Sequence, residues 1–434
     1  MDMIIEKTER KSRRSWYFYD FGNSAYASVV LLAVYSAFFK DVVVGGAEGT
    51  RLWGMSVGVA AILVAIISPI LGTIADFTRS KKKFLMIFTF ISVIFTALLF
   101  FVREGDIFTG MLFFILAEIG YRAAQVFYDS LLTDVSTAKS IGSVSGKGWA
   151  IGMVGGIIAL LLVLLPIQLR GNQMIPFAFL ITAVFYLASS IPTFLWVKEK
   201  NVPEQLPAGV STVIIGFKKL AHTFRSIKSY KEFIKYMIAF LIYNDGIMML
   251  MDFAAIIGAT LFGMQQTQLI MFVILIQIAG TFGALLFGRI SDKKSSKEAI
   301  IVSLMILIAS ITGLFFIKDI LWFYVIGFFA GFSLSGAQAV SRTMVSQLAP
   351  AAKTAEFYGF LSVAGRTSTF VGPLVFSTIS YRLYKWYEHN GTEKIQAEKY
   401  GILWAIGSII AFLIVGMVIL LIVKRVTAKE PIKY

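Results

Sequence analysis

Twelve apolar runs, each long enough to cross a lipid bilayer, follow one another along the chain. A membrane-spanning helix needs about 20 mostly apolar residues. Such runs lie at 15–39, 52–74, 84–102, 107–132, 149–169, 175–197, 233–262, 269–290, 299–317, 320–345, 357–381 and 402–423. A polar stretch separates them into two sets of six. We predict an all-α polytopic membrane protein with twelve transmembrane helices: an N-terminal bundle (1–198), a linker (199–232) and a C-terminal bundle (233–434).

Composition supports a membrane protein and argues against an enzyme. Hydrophobic residues make up 57% of the 434 residues and charged residues 15%. Soluble domains have about 45–50% apolar residues and about 25% charged residues. Cysteine is absent and there are two histidines, which excludes disulfides and thiolate catalysis and argues against a histidine metal centre. There is no Walker-type phosphate loop. We expect no enzymatic activity, metal or cofactor, and leave coupling to protons open.

The positive charge follows the pattern of membrane topology. A net charge of +15 in a soluble protein would point to nucleic acid, but here the bases lie between apolar runs. Together with the adjoining ends of the spans, the termini, the even-to-odd loops and the central stretch hold 29 of the 40 Lys and Arg residues, against 9 in the opposite loops. The richer side is expected to be cytoplasmic. We predict cytoplasmic termini and a cytoplasmic linker, which is either an amphipathic surface helix or a solvated segment.

Three short motifs occur twice, at the same ordinal positions in the two sets. Gly72-Thr-Ile-Ala-Asp76 returns as Gly288-Arg-Ile-Ser-Asp292, and each copy is followed by a basic loop. The three motif pairs start at 72 and 288, 124 and 337, and 143 and 362, so the offset is nearly constant. Six spans per half give a parallel repeat, which is typical of transporters whose halves rock around a central site. We predict that the doubled motif latches the cytoplasmic side, with glycines that allow close helix contact, through Gly72, Asp76, Lys81, Gly288, Arg289 and Asp292.

Ionisable and amide side chains concentrate in the first and fourth spans of each half. Such groups are costly in lipid, so they face the protein interior or a wet cavity. Spacings of four, three and four residues place the fourth-span groups on one helical face. We predict that these side chains line a central path for substrate and coupling ion: Asp20, Asn23, Glu118, Arg122, Gln125, Asp129, Asn244, Asp245, Asp252, Gln338 and Arg342.

Several of these residues also have a structural interpretation. Glu118 and Arg122 are one turn apart and neutralise each other, so they form either a structural pair or part of the site. Asp20 lies near a helix start, where a carboxylate favours the N-terminus, and capping competes with binding. Asp129 and Arg342 lie near the inner ends, where closing a gate competes with binding solute.

Asp245 has the strongest case for proton coupling. It falls near the middle of its span, with no base nearby in the same span. Such a carboxylate either pairs across the cavity, with Arg122 as the nearest choice, or becomes protonated. The sequence Asn244-Asp245-Gly246 places a glycine beside it, which predicts a local helix break.

These motifs resemble the Major Facilitator Superfamily, whose repeated motif follows the second and eighth helices; the first copy departs from it with Ser80 in place of the usual internal glycine. The chain further resembles the vacuole-effluxer-like branch, which includes fungal autophagy-related amino-acid effluxers. The resemblance covers nearly the whole chain. Its segments begin at Trp16, Gly146, Tyr243, Gln338, Glu356 and Gly372.

The resemblance implies two six-helix bundles, alternating access and a cavity between helices one, four, seven and ten. It also implies amino-acid export as the first substrate class. Because the chain is shorter than the fungal members, we expect the plasma membrane rather than a vacuole.

We therefore predict a secondary transporter of a small polar or amphipathic solute. Its expected partners are that solute and the lipid bilayer, with no nucleic acid, and it is expected to function as a monomer. Two alternatives stay open: a drug or lipid exporter of the same fold, and a nutrient sensor that binds solute without transporting it.

Overall fold

The computed structural model describes residues 2–136, 141–199, 230–348, 365 and 369–424, and every regular element in this part of the chain is helical. The long helices are Asp2–Tyr26 (α1), Gly46–Thr78 (α2), Lys81–Leu98 (α3), Ile107–Ser130 (α4), Ile141–Arg170 (α5), Ile175–Trp196 (α6), Lys231–Phe262 (α7), Gln266–Lys293 (α8), Ser296–Gly313 (α9), Ile320–Leu348 (α10), Val371–His389 (α11) and Lys394–Ile422 (α12). Short helical segments lie at Tyr35–Phe38, Leu99–Phe101, Leu132–Val135 and Asn172–Met174.

Eleven helical stretches within the described residues are long and apolar enough to cross a membrane. The remaining predicted run, 357–381, lies partly outside the described residues, and α11 begins at Val371. Large apolar side chains are exposed on the outside of the bundle, including Phe108 at 77%, Leu169 at 75% and Val184 at 68%. Lipid solvates such a surface, whereas water does not. The all-α polytopic fold predicted from the sequence is confirmed.

Helix α1 continues beyond Tyr26 in a different hydrogen-bond pattern. Two π-helical segments, Ala27–Ala33 and Phe39–Val44, flank the short helix at Tyr35–Phe38. The continuation ends at Gly45 with φ +88°, a backbone conformation that glycine adopts readily. The chain then reverses directly into α2.

The pattern of helix packing repeats with a shift of six helices. In the first half α1 packs on α5 and α6, α2 packs on α4, and α3 packs on α4 and α6. In the second half α7 packs on α11 and α12, α8 packs on α10, and α9 packs on α10 and α12. This correspondence confirms the parallel repeat.

The two halves meet along a boundary that we call the seam, mainly through α2 against α11 and α5 against α8. When the halves are exchanged, α2 corresponds to α8 and α11 corresponds to α5, so the two contacts are equivalent. Small residues allow the close approach. A Cβ on Gly54 would clash with Ser377 and one on Gly58 would clash with Leu374, both on α11.

The starts of α1 and α7 and the end of α12 mark one face, which we call the terminal face. There Arg13 Nε donates to Val135 O at 3.2 Å, and the Lys424 backbone N–H donates to Glu232 at 2.6 Å. The opposite end, where Gly45 lies, is the far face. The predicted linker falls on residues 200–229, outside the described residues, and the domain boundaries stay a prediction.

Candidate functional site

Helix α4 carries an ion pair that reaches across the seam. Arg122 Nε donates to Glu118 Oε1, and Arg122 Nη1 donates to the hydroxyl of Thr369 at 2.9 Å, just before α11. Glu118 is fully buried, and its Oε2 has no hydrogen-bond partner among the described residues. The pair anticipated from the one-turn spacing therefore exists, and its guanidinium also links the two halves.

Asp245 lies against the start of α11. Its Oδ2 accepts a hydrogen bond from the Gly372 backbone N–H at 3.1 Å, and only 4% of the residue is exposed. The N-terminus of a helix attracts negative charge because its first N–H groups are unpaired and its dipole is positive there. The sequence left two possibilities for this carboxylate, pairing with Arg122 across the cavity or protonation. The structure gives it a backbone partner instead, and Arg122 acts on it electrostatically.

The predicted helix break beside Asp245 is wrong. Helix α7 runs without interruption from Lys231 to Phe262. A Cβ on Gly246 would lie 3.2 Å from the Phe412 Cβ and 3.3 Å from the Ile409 carbonyl of α12. The glycine therefore permits close packing of α7 on α12, and this packing offsets its cost in a helix, about 1 kcal/mol.

Asp252 lies two turns beyond Asp245 on α7 and is also 4% exposed. Its Oδ2 has no hydrogen-bond partner among the described residues. The carboxylate interacts electrostatically with Arg122, Glu118 and Asp245. These four side chains form the central cluster: Glu118, Arg122, Asp245 and Asp252.

Trp53 on α2 holds the backbone beside this cluster. Its indole Nε1 donates to the Asp252 carbonyl at 2.8 Å, across the seam, and the side chain is fully buried. Sequence analysis did not identify Trp53. A tryptophan within an apolar span carries one buried donor that needs an acceptor, and this requirement is the signal that was available.

Two predicted amides connect helices within the second half. Gln338 Nε2 on α10 donates to Asn244 Oδ1 at 2.7 Å, and Asn244 Nδ2 donates to the Gly365 carbonyl at 3.5 Å. Both amides thus have protein partners, and the contact between them holds α7 against α10.

In the first half, aromatic rings lie beside the cluster. The Tyr26 and Tyr121 rings stack with centroids 4.7 Å apart, and both interact electrostatically with Arg122. Asn23, one turn before Tyr26, is 1% exposed, with its Nδ2 unpartnered among the described residues. Gln125 is buried on α4.

A second group of predicted residues lies nearer the terminal face. The Trp16 and Tyr128 rings stack at 4.3 Å, and Asp20, Asp129 and Arg342 all act electrostatically on Tyr128. The Arg342 guanidinium also lies 4.9 Å from the Trp149 ring centroid, which joins α10 to α5 across the seam. Asp129 and Arg342 thus both belong to this group near the terminal face, apart from the central cluster.

A capping role for Asp20 is wrong. Helix α1 begins at Asp2, five turns earlier, because the polar N-terminal segment is helical as well. Asp20 instead faces α5, where its carboxyl carbon lies 3.1 Å from the position of a Cβ on Gly152.

The doubled motif shows contacts within each half. The Glu199 carboxylate accepts the backbone N–H groups of Lys81 and Lys82, at 3.2 and 3.0 Å, and thereby caps α3. Lys82 Nζ donates to the Val197 carbonyl at 3.0 Å, as Lys297 Nζ donates to the Val423 carbonyl at 2.6 Å. The basic loops thus bind helix C-termini of their own bundle.

Close helix contact at the motif glycines is not observed. No described atom lies within 4 Å of a Cβ placed on Gly72 or Gly288. Arg289 is exposed. The side chains of Asp76 and Asp292 lie outside the described part of the structure, so their latching role stays a prediction.

The far face carries a charged contact that sequence analysis missed. Lys40 Nζ lies 2.8 Å from Glu398 Oε1 of the other half and 2.6 Å from Asp41 Oδ1, and the lysine side chain is 6% exposed. Gln266 Nε2 donates to the Ala33 carbonyl at 2.6 Å across the same face. A lysine directly after an apolar run was read as a loop residue, so its burial was not expected.

Comparison with known proteins places these features in a family. The family model described as "Vacuole effluxer Atg22 like" matches residues 52–385. An uncharacterized MFS-type transporter of Bacillus subtilis, YxiO, is 28% identical over 97% of this chain and 96% of its own length. Autophagy-related protein 22 of Yarrowia lipolytica is 28% identical over 54% of this chain and 45% of its own length.

Solved structures agree on the fold. A bacterial homologue of the human lysosomal transporter Spinster, inward-facing and occupied, gives a TM-score of 0.67 at 13% identity, covering 99% of this chain and 98% of that chain. The nucleoside transporter NupG gives 0.68 at 14% identity, covering 94% and 99%. The activities that these names state are transport and not enzymatic catalysis. Because the family model matches well over half of its length, the chain belongs to the vacuole effluxer Atg22-like family of MFS-type transporters.

Proposed function

We propose that the protein exports amino acids or similar small amphipathic solutes by alternating access. The observation that carries the proposal is the central cluster, where charged side chains are buried at the seam between two equivalent halves. A site at this boundary is reached from one face or the other when the halves rock. The family description as a vacuole effluxer supports export as the direction.

The contact between Arg122 and Thr369 links solute binding to this motion. It joins the first half to the start of α11, which Asp245 holds from the second half. A solute that enters the cluster competes for these same groups. Binding therefore changes the relative stability of the two orientations, as a transport cycle requires.

Counterflow in proteoliposomes tests the proposal. Vesicles are loaded with an unlabelled amino-acid mixture, and entry of single labelled amino acids is measured. We expect accumulation in vesicles with the wild-type chain and little with Arg122→Gln, which keeps polarity but removes the charge. Absence of counterflow for every amino acid would contradict the proposal.

Proton coupling is proposed at Asp245, whose Oδ1 has no hydrogen-bond partner among the described residues. In vesicles with an imposed pH gradient, wild-type flux should respond to the gradient and Asp245→Asn flux should not. Unchanged gradient-driven flux in this variant would exclude Asp245 as the coupling group.

A second candidate is export of a more apolar amphiphile, such as a drug or a lipid. It is suggested by an apolar cavity lined by Leu32 of the first half and by side chains of the second half such as Leu250 and Phe323. At about 50 Å³ this cavity would have to widen to hold a drug-sized solute. Inhibition of amino-acid counterflow by amphiphilic dyes at lower concentration than by amino acids would favour this candidate.

Location and assembly follow the same proposal. We propose that the monomer functions in the plasma membrane with both termini cytoplasmic, as the distribution of Lys and Arg indicates. Single cysteines can test the orientation, because the native chain has none. An impermeant thiol reagent added to intact cells should label a cysteine at Gly45 and not one at Lys424.

A further inference from the structure

The central cluster has more acids than bases. Three carboxyl groups share one guanidinium, and each carboxyl side chain is at least 96% buried. One oxygen of each carries no hydrogen-bond partner among the described residues: Glu118 Oε2, Asp245 Oδ1 and Asp252 Oδ2. Buried acceptors without a donor are rare in folded proteins, because a buried acceptor that makes no hydrogen bond costs free energy.

The base of the cluster uses two of its five N–H groups in contacts with the protein. Arg122 donates to Glu118 and to the Thr369 hydroxyl. A solute carboxylate would have to compete with Glu118 for the guanidinium and would face two further carboxylates. The donors beside the cluster that lack a partner among the described residues are neutral, the Tyr26 hydroxyl and the Asn23 amide. The three acidic groups outnumber the single base, and this balance favours a positively charged group over a carboxylate.

A metal ion does not match this arrangement. Within the described residues no group of three Asp, Glu, His or Cys side chains is close enough to hold one metal ion. The acids are instead spread over two helices, with Asp245 and Asp252 two turns apart on one face of α7. Carboxylates spaced in this way, beside the stacked rings of Tyr26 and Tyr121, suit an organic cation, since ring faces attract positive charge.

We infer that the cluster binds the ammonium group of the solute at Asp252 and Asp245 and favours solutes that carry a net positive charge. The inference rests on the proposed function and specifies its substrate class. A cationic solute reduces the excess negative charge of the buried site, and it supplies donors to the unpartnered oxygens. A zwitterion supplies the same donors but leaves the net charge of the site unchanged. An anion without an ammonium group does neither.

Three leucine derivatives separate these cases. Leucinamide keeps the ammonium group and has no carboxylate, leucine has both groups, and N-acetyl-leucine keeps only the carboxylate. Binding to the purified full chain in nanodiscs is measured by calorimetry at about pH 7, below the α-amino pKa of about 8, so that most of the amine is charged while fewer protons compete for the carboxyl groups than at acid pH. We expect affinity to fall from leucinamide to leucine to N-acetyl-leucine, with about tenfold or more between the first and the last.

Variants assign the effect to the cluster. Asp252→Asn should weaken leucinamide binding about tenfold, while Asp252→Glu should retain most of it. Asp319→Asn, the same change on an exposed loop, should bind as the wild type does. Equal binding of leucinamide and N-acetyl-leucine, no leucinamide binding, or unchanged binding in Asp252→Asn would each overturn the inference.

The test is separable from that of the proposed function. Leucinamide binding without counterflow of any amino acid would support the inference and contradict transport. Amino-acid counterflow together with tight N-acetyl-leucine binding would support transport and overturn the inference.

Discussion

Charge is buried at the seam in two places, and the two differ in how it is matched. On the far face, Lys40 lies between Glu398 and Asp41, and Asp41 is partly solvated, with its side chain 42% exposed. Glu398 Oε1 makes no hydrogen bond of good geometry but lies in direct contact with the lysine. In the central cluster, only Glu118 contacts the base, whereas Asp245 and Asp252 each keep a buried oxygen with neither a hydrogen-bond partner among the described residues nor a contacting base. The far-face contact therefore suits a structural role, in which it holds the two halves together. The central cluster instead leaves buried acceptors unsatisfied, as expected where a ligand completes the site.

This difference teaches that burial alone does not mark a functional charge. Removing one partner of a matched buried pair leaves an uncompensated charge and destabilises the protein. Removing a poorly matched charge relieves a desolvation cost. The two regions should therefore respond with opposite signs to neutralisation.

The largest effect is expected for Asp252→Asn. Counterflow should fall at least about tenfold, because the variant loses a charged acceptor. Thermal stability without ligand should stay equal or rise, since a buried charge with an unpartnered oxygen is removed. Both are measured on one preparation, by flux in liposomes and by the melting temperature in nanodiscs. A lower melting temperature with normal flux would contradict the proposed difference between the central cluster and the far-face contact.

Packing at the seam should have the next largest effect. Gly54→Leu places a side chain where even a Cβ clashes with Ser377, and overpacking costs about 1–3 kcal/mol. We expect the far face to open. The reactivity of a cysteine introduced at Gln266 should rise in a chain that otherwise has none.

Gly407→Leu on α12 is the matched control, because no described atom lies within 4 Å of its Cβ position. It should leave that reactivity unchanged. Equal cysteine reactivity in both variants would show that Gly54 does not hold the halves together.

Lys40→Met should lower stability, in contrast to Asp252→Asn. The lysine side chain is 6% exposed and that of Glu398 is 14% exposed, so solvent screens the remaining charge only partly. We expect a loss of about 1–3 kcal/mol, below the range for a fully buried pair. The double variant Lys40→Met with Glu398→Leu should recover most of the melting temperature.

The same change at Lys385 provides the control. Lys385 pairs with Glu388 on the surface, with its side chain 54% exposed, and such pairs contribute at most about 1 kcal/mol. An equal fall in the melting temperature of Lys40→Met and Lys385→Met would show that the Lys40 contact does not hold the far face closed.

The smallest effect is expected for Trp53→Phe. The variant loses the hydrogen bond to the Asp252 carbonyl, worth about 1 kcal/mol, but keeps an aromatic ring next to Phe114. The melting temperature should fall slightly, and leucinamide affinity should fall with it if the backbone positions Asp252. Trp404→Phe, which removes an exposed tryptophan, should change neither quantity.

The fold was largely predictable because its signals are local and repeated. Apolar runs of membrane length fix the helices, and motifs at a constant offset fix the parallel repeat. The pairing of Glu118 with Arg122 was also predictable, since one helical turn separates them.

The errors and omissions concern properties that depend on neighbouring helices. A glycine beside Asp245 looks like a break until the backbone of α12 is seen against it. The donor of Asp245 is a backbone N–H of α11, which no side-chain pattern reveals. Lys40 and Glu398 are more than 350 positions apart, and nothing in either local sequence indicates the other.

The excess of acids at the centre of the molecule has a consequence for membrane voltage. Each elementary charge that crosses a potential of 100 mV exchanges about 2.3 kcal/mol with the field. A carrier whose empty site is negative and whose loaded site is closer to neutral is sensitive to voltage mainly in the empty return. A membrane potential that is negative inside would then hold the empty site facing outward, and in an exporter it would slow the return to the cytoplasmic side, where the next solute binds.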